Sequence, residues 1–184
     1  METSIIIAGF GGQGVLFAGQ LLTYAGMDQG KHVTWIPSYG PEMRGGTANC
    51  TVIIGDDEIG APTVAHPDVA VVLNLPSFEK YEPLVKPGGV LIVNSSLIAA
   101  QSHRTNIDVI AVPANKIAED YGSVKMANMA ALGALLSKRP LFTLDELLQT
   151  LHDHLPERKH NLLEANKLVL QHGYEVGMGT PTPA

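Results

Sequence analysis

Cysteine is nearly absent from this 184-residue chain, in which Cys50 stands alone. One thiol makes no intrachain disulfide, and it excludes a zinc or iron–sulfur site built from this chain's own cysteines. Charge is also scarce, at 16% of residues, and it tilts acidic: 12 Lys and Arg stand against 18 Asp and Glu, a net charge of −6. Non-specific nucleic-acid binding needs a basic surface, so no nucleic-acid partner is expected. No apolar run approaches the roughly 20 residues of a membrane span. No basic segment precedes an apolar stretch after Met1, so neither a membrane segment nor a secretory signal is expected. With the unpaired cysteine, this points to cytoplasmic residence. The seven histidines show no H-E-x-x-H or other ligand spacing, and no metal site is expected. G-x-S-x-G and Walker A motifs are missing too, and no residue set suggests a self-sufficient catalytic centre.

What the chain does have is concentrated at its start. Ile5-Ile6-Ile7-Ala8 reads as a strand buried on both faces. It runs into Gly9-Phe10-Gly11-Gly12-Gln13-Gly14, where Gly9, Gly11 and Gly14 fall in the G-x-G-x-x-G spacing. Such a loop turns tightly and brings backbone N–H groups close to an anion at a helix N-terminus. A helix is expected from Gly14 to about Gln29, ended by Gly30, and Val33–Ile36 follows as a second strand stopped by Pro37. A β-α-β unit of this kind holds a nicotinamide dinucleotide when an acidic residue, or an arginine for a 2′-phosphate, ends the second strand. Thr34 to Ser38 supply neither. A stand-alone nucleotide-binding protein or NAD(P)-type dehydrogenase is therefore the alternative reading, not the leading one.

The next stretch, Pro37-Ser38-Tyr39-Gly40-Pro41-Glu42-Met43-Arg44-Gly45-Gly46-Thr47, is a shaped loop rich in Pro and Gly. It carries hydroxyls, a carboxylate and a guanidinium. At the carboxyl edge of a parallel sheet it is expected to face the glycine loop and share a ligand with it. Ala48–Ile54 reads as a strand, turning at Gly55-Asp56-Asp57 into a hairpin with Glu58–Gly60. Cys50, inside that strand, reads as a small buried hydrophobe. Asp68–Leu75, Val90–Asn94 and Ile107–Val112 are further strands, with a short helix capped by Ser77 and running to Val85. Asn74 and Asn94-Ser95-Ser96 also fall at the ligand edge, where they either cap helices or face the ligand. From Ala114 the chain is helical. Asn115–Tyr121 is one helix, and Met126–Leu136, apolar all round, is a buried one. Thr143 and Glu146 open another as a capping box, and the last covers Pro156 to His172, stopped by Gly173. The tail from Gly177 to Ala184 is expected to fray. The expected architecture is one α/β domain over residues 1–184. It is a Rossmann-like layer sandwich with a mostly parallel sheet, one β-hairpin insertion and a helical C-terminal third.

The two loops together carry a resemblance. I-A-G-F-G-G-Q-G at Ile7–Gly14 and P-S-Y-G-P-E-M-R-G-G-T-A-N at Pro37–Asn49, with L-N-L-P-S-F-E-K-Y-E-P-L-V-K-P-G-G at Leu73–Gly89, resemble the γ subunit of 2-oxoacid:ferredoxin oxidoreductases. The resemblance covers about residues 5 to 136. It implies oxidative decarboxylation of a 2-oxoacid with coenzyme A to acyl-CoA and carbon dioxide, with electrons passed to ferredoxin. It also implies thiamine diphosphate, Mg²⁺ and 4Fe-4S clusters on partner α and β subunits, with or without a δ, and none in this chain. By the same resemblance, Gly9, Gly11, Gly12, Gln13 and Gly14 form one part of a coenzyme A surface. Ser38, Tyr39, Gly40, Glu42, Arg44, Gly45 and Gly46 form the other, Arg44 acting as a fork for phosphate or carboxylate. Pyruvate, 2-oxoglutarate and branched-chain acids remain equally open as substrates.

Overall fold

The protein is seen in a computed structural model that describes residues 2–39 and 47–179. Six strands form one sheet: β1 (Glu2–Phe10), β2 (His32–Tyr39), β3 (Thr47–Gly55), β4 (Val69–Val72), β5 (Val90–Asn94) and β6 (Asp108–Val112). Their order is β2-β3-β1-β4-β5-β6. The pairs β1–β4, β4–β5 and β5–β6 are parallel, and β3 runs antiparallel to both β1 and β2. β1 is buried from Ser4 to Gly9 because it lies inside the sheet with layers on both faces, as its unbroken apolar run requires.

The layers are unequal. On the face of Ile5, Ile7, Cys50 and Val52 pack α1 (Val15–Asp28), α3 (Ala114–Asp120) and α4 (Ala127–Lys138). α5 (Leu144–His154) and α6 (Leu163–Gly177) join the same cluster. The opposite face, with Ile6, Ala8, Ala70 and Val72, is covered by α2 (Leu75–Tyr81) and by Val85, Ile98 and Ile107 from connecting segments.

Several expectations are corrected here. The hairpin joins β2 to β3, whose register runs from His32↔Gly55 to Tyr39↔Ala48, and Glu58–Gly60 form no strand. β2 is therefore not the neighbour of β1, because β3 lies between them. Pro37 does not stop β2 but sits within it, opposite Cys50, which an edge strand tolerates. Asn74, not Ser77, caps α2: its Oδ1 accepts from the Ser77 N–H at 2.9 Å. That choice leaves Pro76 in the first turn, where a missing N–H costs nothing. α2 ends at Tyr81, and Glu82–Leu84 continue as a 3₁₀ turn. Gly173 does not end the last helix, which runs on to Gly177 after a 3₁₀ segment at Glu157–Leu162. The capping box at Thr143 and Glu146 is present as expected. Residues 180–184 of the tail lie outside the described residues.

A polar clasp fixes the amino end of β1 to β4. The Ser4 N–H and Oγ–H both donate to Asp68 Oδ2, at 2.8 and 2.6 Å, and Lys86 Nζ lies 3.0 Å from Oδ1. Partial burial raises the Asp68 pKa, but the Ser4 hydrogen bonds and the Lys86 charge outweigh it and hold the carboxyl below its ordinary value. A carboxylate depressed in the folded state stabilises above its unfolded pKa, about 4. That contribution is lost as pH falls through the lower folded value. The urea midpoint of the native chain should therefore fall between pH 6 and pH 3 by more than that of Asp68→Asn; equal falls would show that the clasp carries no linkage.

Candidate functional site

β1 delivers the glycine loop to the carboxyl edge of the sheet. Gly12 and Gly14 have φ of 97° and 73°, a backbone region that side chains with a Cβ avoid. Gly9 is still inside β1 and buried; a Cβ there would lie 2.6 Å from Gln13 Oε1 and 3.0 Å from Leu73 Cβ. Gln13 folds back under the loop. Its Oε1 accepts from the Phe10 N–H at 2.6 Å, and its Nε2 donates to the Leu73 carbonyl at 3.1 Å. Gly9 and Gln13 thus shape the loop, while Gly11, Gly12 and Gly14 present it.

The Gln13 N–H donates to the Phe10 carbonyl at 3.2 Å, and the N–H groups of Gly11, Gly12 and Gly14 have no acceptor among the described residues. α1 starts directly behind them. Its N-cap is Gly14, which supplies no side-chain acceptor, and its first turn holds no acidic residue. Among the described residues nothing neutralises the partial positive charge of the helix start or its free amides, an arrangement suited to a phosphate or carboxylate.

Two residues that sequence reading did not single out complete the loop's setting. Asn128 lies in the buried run of α4, and its Nδ2 donates to the Gly14 carbonyl at 3.2 Å. The one polar side chain in the otherwise apolar run Met126–Leu136 was the available signal. Asn115, at the start of α3, accepts from Asn94 Nδ2 at 2.9 Å. Of the other polar groups at this edge, Asn74 Oδ1 is occupied as the α2 cap while its Nδ2 is buried without a hydrogen-bond partner among the described residues, and Ser96 Oγ accepts from the Lys116 N–H at 3.2 Å.

Ser38 and Tyr39 form the last two positions of β2, and Ser38 is exposed. Ala48 of β3 pairs with Gly9 on one side and Tyr39 on the other. The ends of β1 and β2 are thus level but two strand spacings apart, about 10 Å. Gly40, Glu42, Arg44, Gly45 and Gly46 lie outside the described residues. The same interposed strand counts against a nicotinamide dinucleotide, whose ribose-holding residue ends the strand next to β1.

Cys50 is not a nucleophile. It is fully buried beneath the start of α1, with Sγ 3.5 Å from the Val15 carbonyl. Burial pushes its pKa up to about 11, against smaller opposing effects of Trp35 and the Gly19 and Ile7 backbone. Ellman's reagent at pH 8 should leave the folded chain unlabelled and titrate one thiol once it is unfolded; rapid labelling of the folded chain would refute this burial. Among the described residues no three His, Cys, Asp or Glu side chains gather as a metal would need, and no helix is long and apolar enough to cross a membrane.

An open sheet, parallel but for one strand, with helices on both faces and a glycine loop at the carboxyl end of a central strand, defines a Rossmann-like α/β chain. The chain belongs to the pyruvate ferredoxin/flavodoxin oxidoreductase family, which it matches over residues 4–176. Ketoisovalerate oxidoreductase subunit VorA of Methanothermobacter marburgensis is 42% identical to it over 136 residues, 74% of this chain. This chain spans only 28% of the length of that relative. 2-Oxoglutarate synthase subunit KorC of Methanocaldococcus jannaschii is 32% identical over 179 residues, which are 96% of this chain and 94% of that one. The crystal structure of the γ subunit of a keto/oxoacid ferredoxin oxidoreductase from Geobacter sulfurreducens has a TM-score of 0.82 at 30% identity. It covers 96% of this chain and 99% of that one.

Proposed function

We propose that this chain is the γ-type subunit of a thiamine-diphosphate-dependent 2-oxoacid:ferredoxin oxidoreductase, working as one domain over residues 1–184. The assembled enzyme converts a 2-oxoacid and coenzyme A to acyl-CoA and carbon dioxide while ferredoxin is reduced. This chain supplies the surface that receives coenzyme A. The observation that carries the reading is the set of amides at Gly11, Gly12 and Gly14, unpaired among the described residues, ahead of a helix with no side-chain cap, which fits a phosphate. Gly9 and Gln13 hold that loop in shape. Ser38, Tyr39, Gly40, Glu42, Arg44, Gly45 and Gly46 form the second wall, and Arg44 pairs with a phosphate or carboxylate of the ligand.

Thiamine diphosphate, Mg²⁺ and the 4Fe-4S clusters belong to α and β partners, with or without a δ. One buried thiol of raised pKa is no cluster ligand set, and ferredoxin is reached through those partners. Partner contact falls on the thinly covered face of the sheet, where Phe10 and Ile36 are 38% and 40% exposed. The complex works in the cytoplasm.

Anoxic affinity purification of the tagged chain from its host tests this reading. The expected result is brown material with larger partners, and coenzyme-A-dependent oxidation of one 2-oxoacid with a viologen acceptor. A colourless chain that elutes alone and binds NAD would overturn it. Within the active complex, Arg44→Ala should raise the apparent KM for coenzyme A; an unchanged KM removes Arg44 from the site.

A further inference from the structure

α1 carries apolar residues on two sides. Val15, Ala18, Leu22 and Ala25 are buried in the cluster over the sheet, whereas Phe17, Gln20, Leu21 and Tyr24, at i, i+3, i+4 and i+7, form a second stripe beside α5. α5 runs antiparallel along that stripe. The Thr150 Oγ–H donates to Asp28 Oδ2 at 2.9 Å, and the His154 ring stacks on Tyr24 with centroids 4.1 Å apart and planes 7° from parallel. One more turn of α5 would lie over Gln20 and Phe17. That turn is not made, because Pro156 holds Leu155 extended and ends the helix. The gap left there is a cavity of about 280 Å³, walled by Phe17, Gln20, Tyr24, Leu151, Leu155 and Lys159 among others. It is open to solvent: Phe17 is 40% exposed, and His154 and Lys159, which also line it, are exposed as well.

The chemistry of the cavity is selective. Phe17 and the Tyr24–His154 pair supply aromatic walls that suit a planar ring. His154 is held in place by Asp28, whose Oδ2 lies 3.4 Å from Nε2, so the stacked pair is set before any ligand arrives. Gln20 Nε2 donates to the Tyr24 hydroxyl oxygen at 3.0 Å, which leaves the Tyr24 O–H free to donate in turn. Among the described residues Lys159 Nζ has no anionic partner, and no carboxylate lines the cavity. One unpaired ammonium and one hydroxyl donor match a single carboxylate. The volume corresponds to about nine waters at roughly 30 Å³ each, room for one or two fused rings and too little for coenzyme A.

We propose that this cavity binds a small aromatic carboxylate, its ring against Phe17 and the Tyr24–His154 pair and its charge on Lys159 and the Tyr24 hydroxyl. No residue of the glycine loop takes part, so the site stands whether or not that loop receives coenzyme A. Titration calorimetry on the full chain, with indole-3-acetate as the probe, tests it. Saturable binding with a dissociation constant of about 1 mM or below is expected. Lys159→Gln should weaken it about fivefold, while the uncharged indole-3-acetamide should bind both proteins alike. Phe17→Ala should weaken both probes about tenfold. Both substitutions fall at exposed positions, so melting temperatures should match that of the native chain; Lys159→Gln alone decides if Phe17→Ala does not fold. Absence of saturable binding, or an unchanged affinity in Lys159→Gln, overturns the proposal. Tighter binding of octanoate than of indole-3-acetate overturns the aromatic class, and displacement of the probe by coenzyme A overturns a site independent of the loop.

Discussion

Gly133→Ala should destabilise the chain by about 3 kcal/mol and lower its melting temperature by on the order of 10 °C. The reason is a backbone-to-backbone crossing of α4 and α6. A Cβ at Gly133 would collide with the Leu170 carbonyl and stand 2.7 Å from the Tyr174 amide nitrogen. The contact is reciprocal, because a Cβ at Gly173 would collide with the Ala130 carbonyl. Neither obstacle is a side chain that can change rotamer, so the helices must separate and break the packing of Met129, Leu132 and Leu170, all fully buried. Gly60→Ala is the control, since nothing lies within 4 Å of its would-be Cβ. Thermal melts that place Gly133→Ala with Gly60→Ala would refute the close crossing. The crossing also bears on the site, because α4 begins with the turn that carries Asn128 to the Gly14 carbonyl. A displaced α4 should loosen the glycine loop even in molecules that remain folded.

These glycines show where local reading of the sequence stops. β1, β4, β5 and the buried α4 were legible because each is a compact apolar run whose period or length admits one element. Gly173 followed a plausible helix and resembled a stop signal. Its actual role depends on Ala130, more than forty positions away, which no local pattern contains. The hairpin failed in the same way. Gly55-Asp56-Asp57 has tight-turn chemistry, but Glu58–Gly60 offer no alternating apolar residues for a strand to bury. β2 has Val33 and Trp35 to lay beside Ile54 and Val52 beneath α1, so the longer connection wins. At α2 both Asn74 and Ser77 have N-cap chemistry, and the end of β4 decides for Asn74. At the site, the glycine loop was legible as a tight turn that leads from β1 into α1. The hydrogen bond from Asn94 to Asn115 was not, because an asparagine ending a strand looks the same whether it caps a helix or pairs with a distant side chain.

Gly14→Ala should raise the KM for coenzyme A of the assembled enzyme on the order of 100-fold. Two effects combine. At φ 73° a Cβ costs roughly 1–2 kcal/mol. The same atom would stand 2.5 Å from Asn128 Nδ2 and 3.0 Å from Asn128 Cγ, forcing that side chain off the Gly14 carbonyl at a further cost of about 1–2 kcal/mol. The loop escapes the strain by moving, and its free amides then leave the positions that suit a phosphate. Roughly 3 kcal/mol corresponds to about two decades of affinity. Asn128→Ala separates the contributions: it releases the Gly14 carbonyl without straining the backbone, and should raise KM by only about fivefold. Rate constants at saturating coenzyme A should change far less than KM in both variants, because the loop binds and does not react. A Gly14→Ala enzyme that assembles, melts at a lower temperature and keeps its native KM would show that the loop is structural and that coenzyme A is received elsewhere.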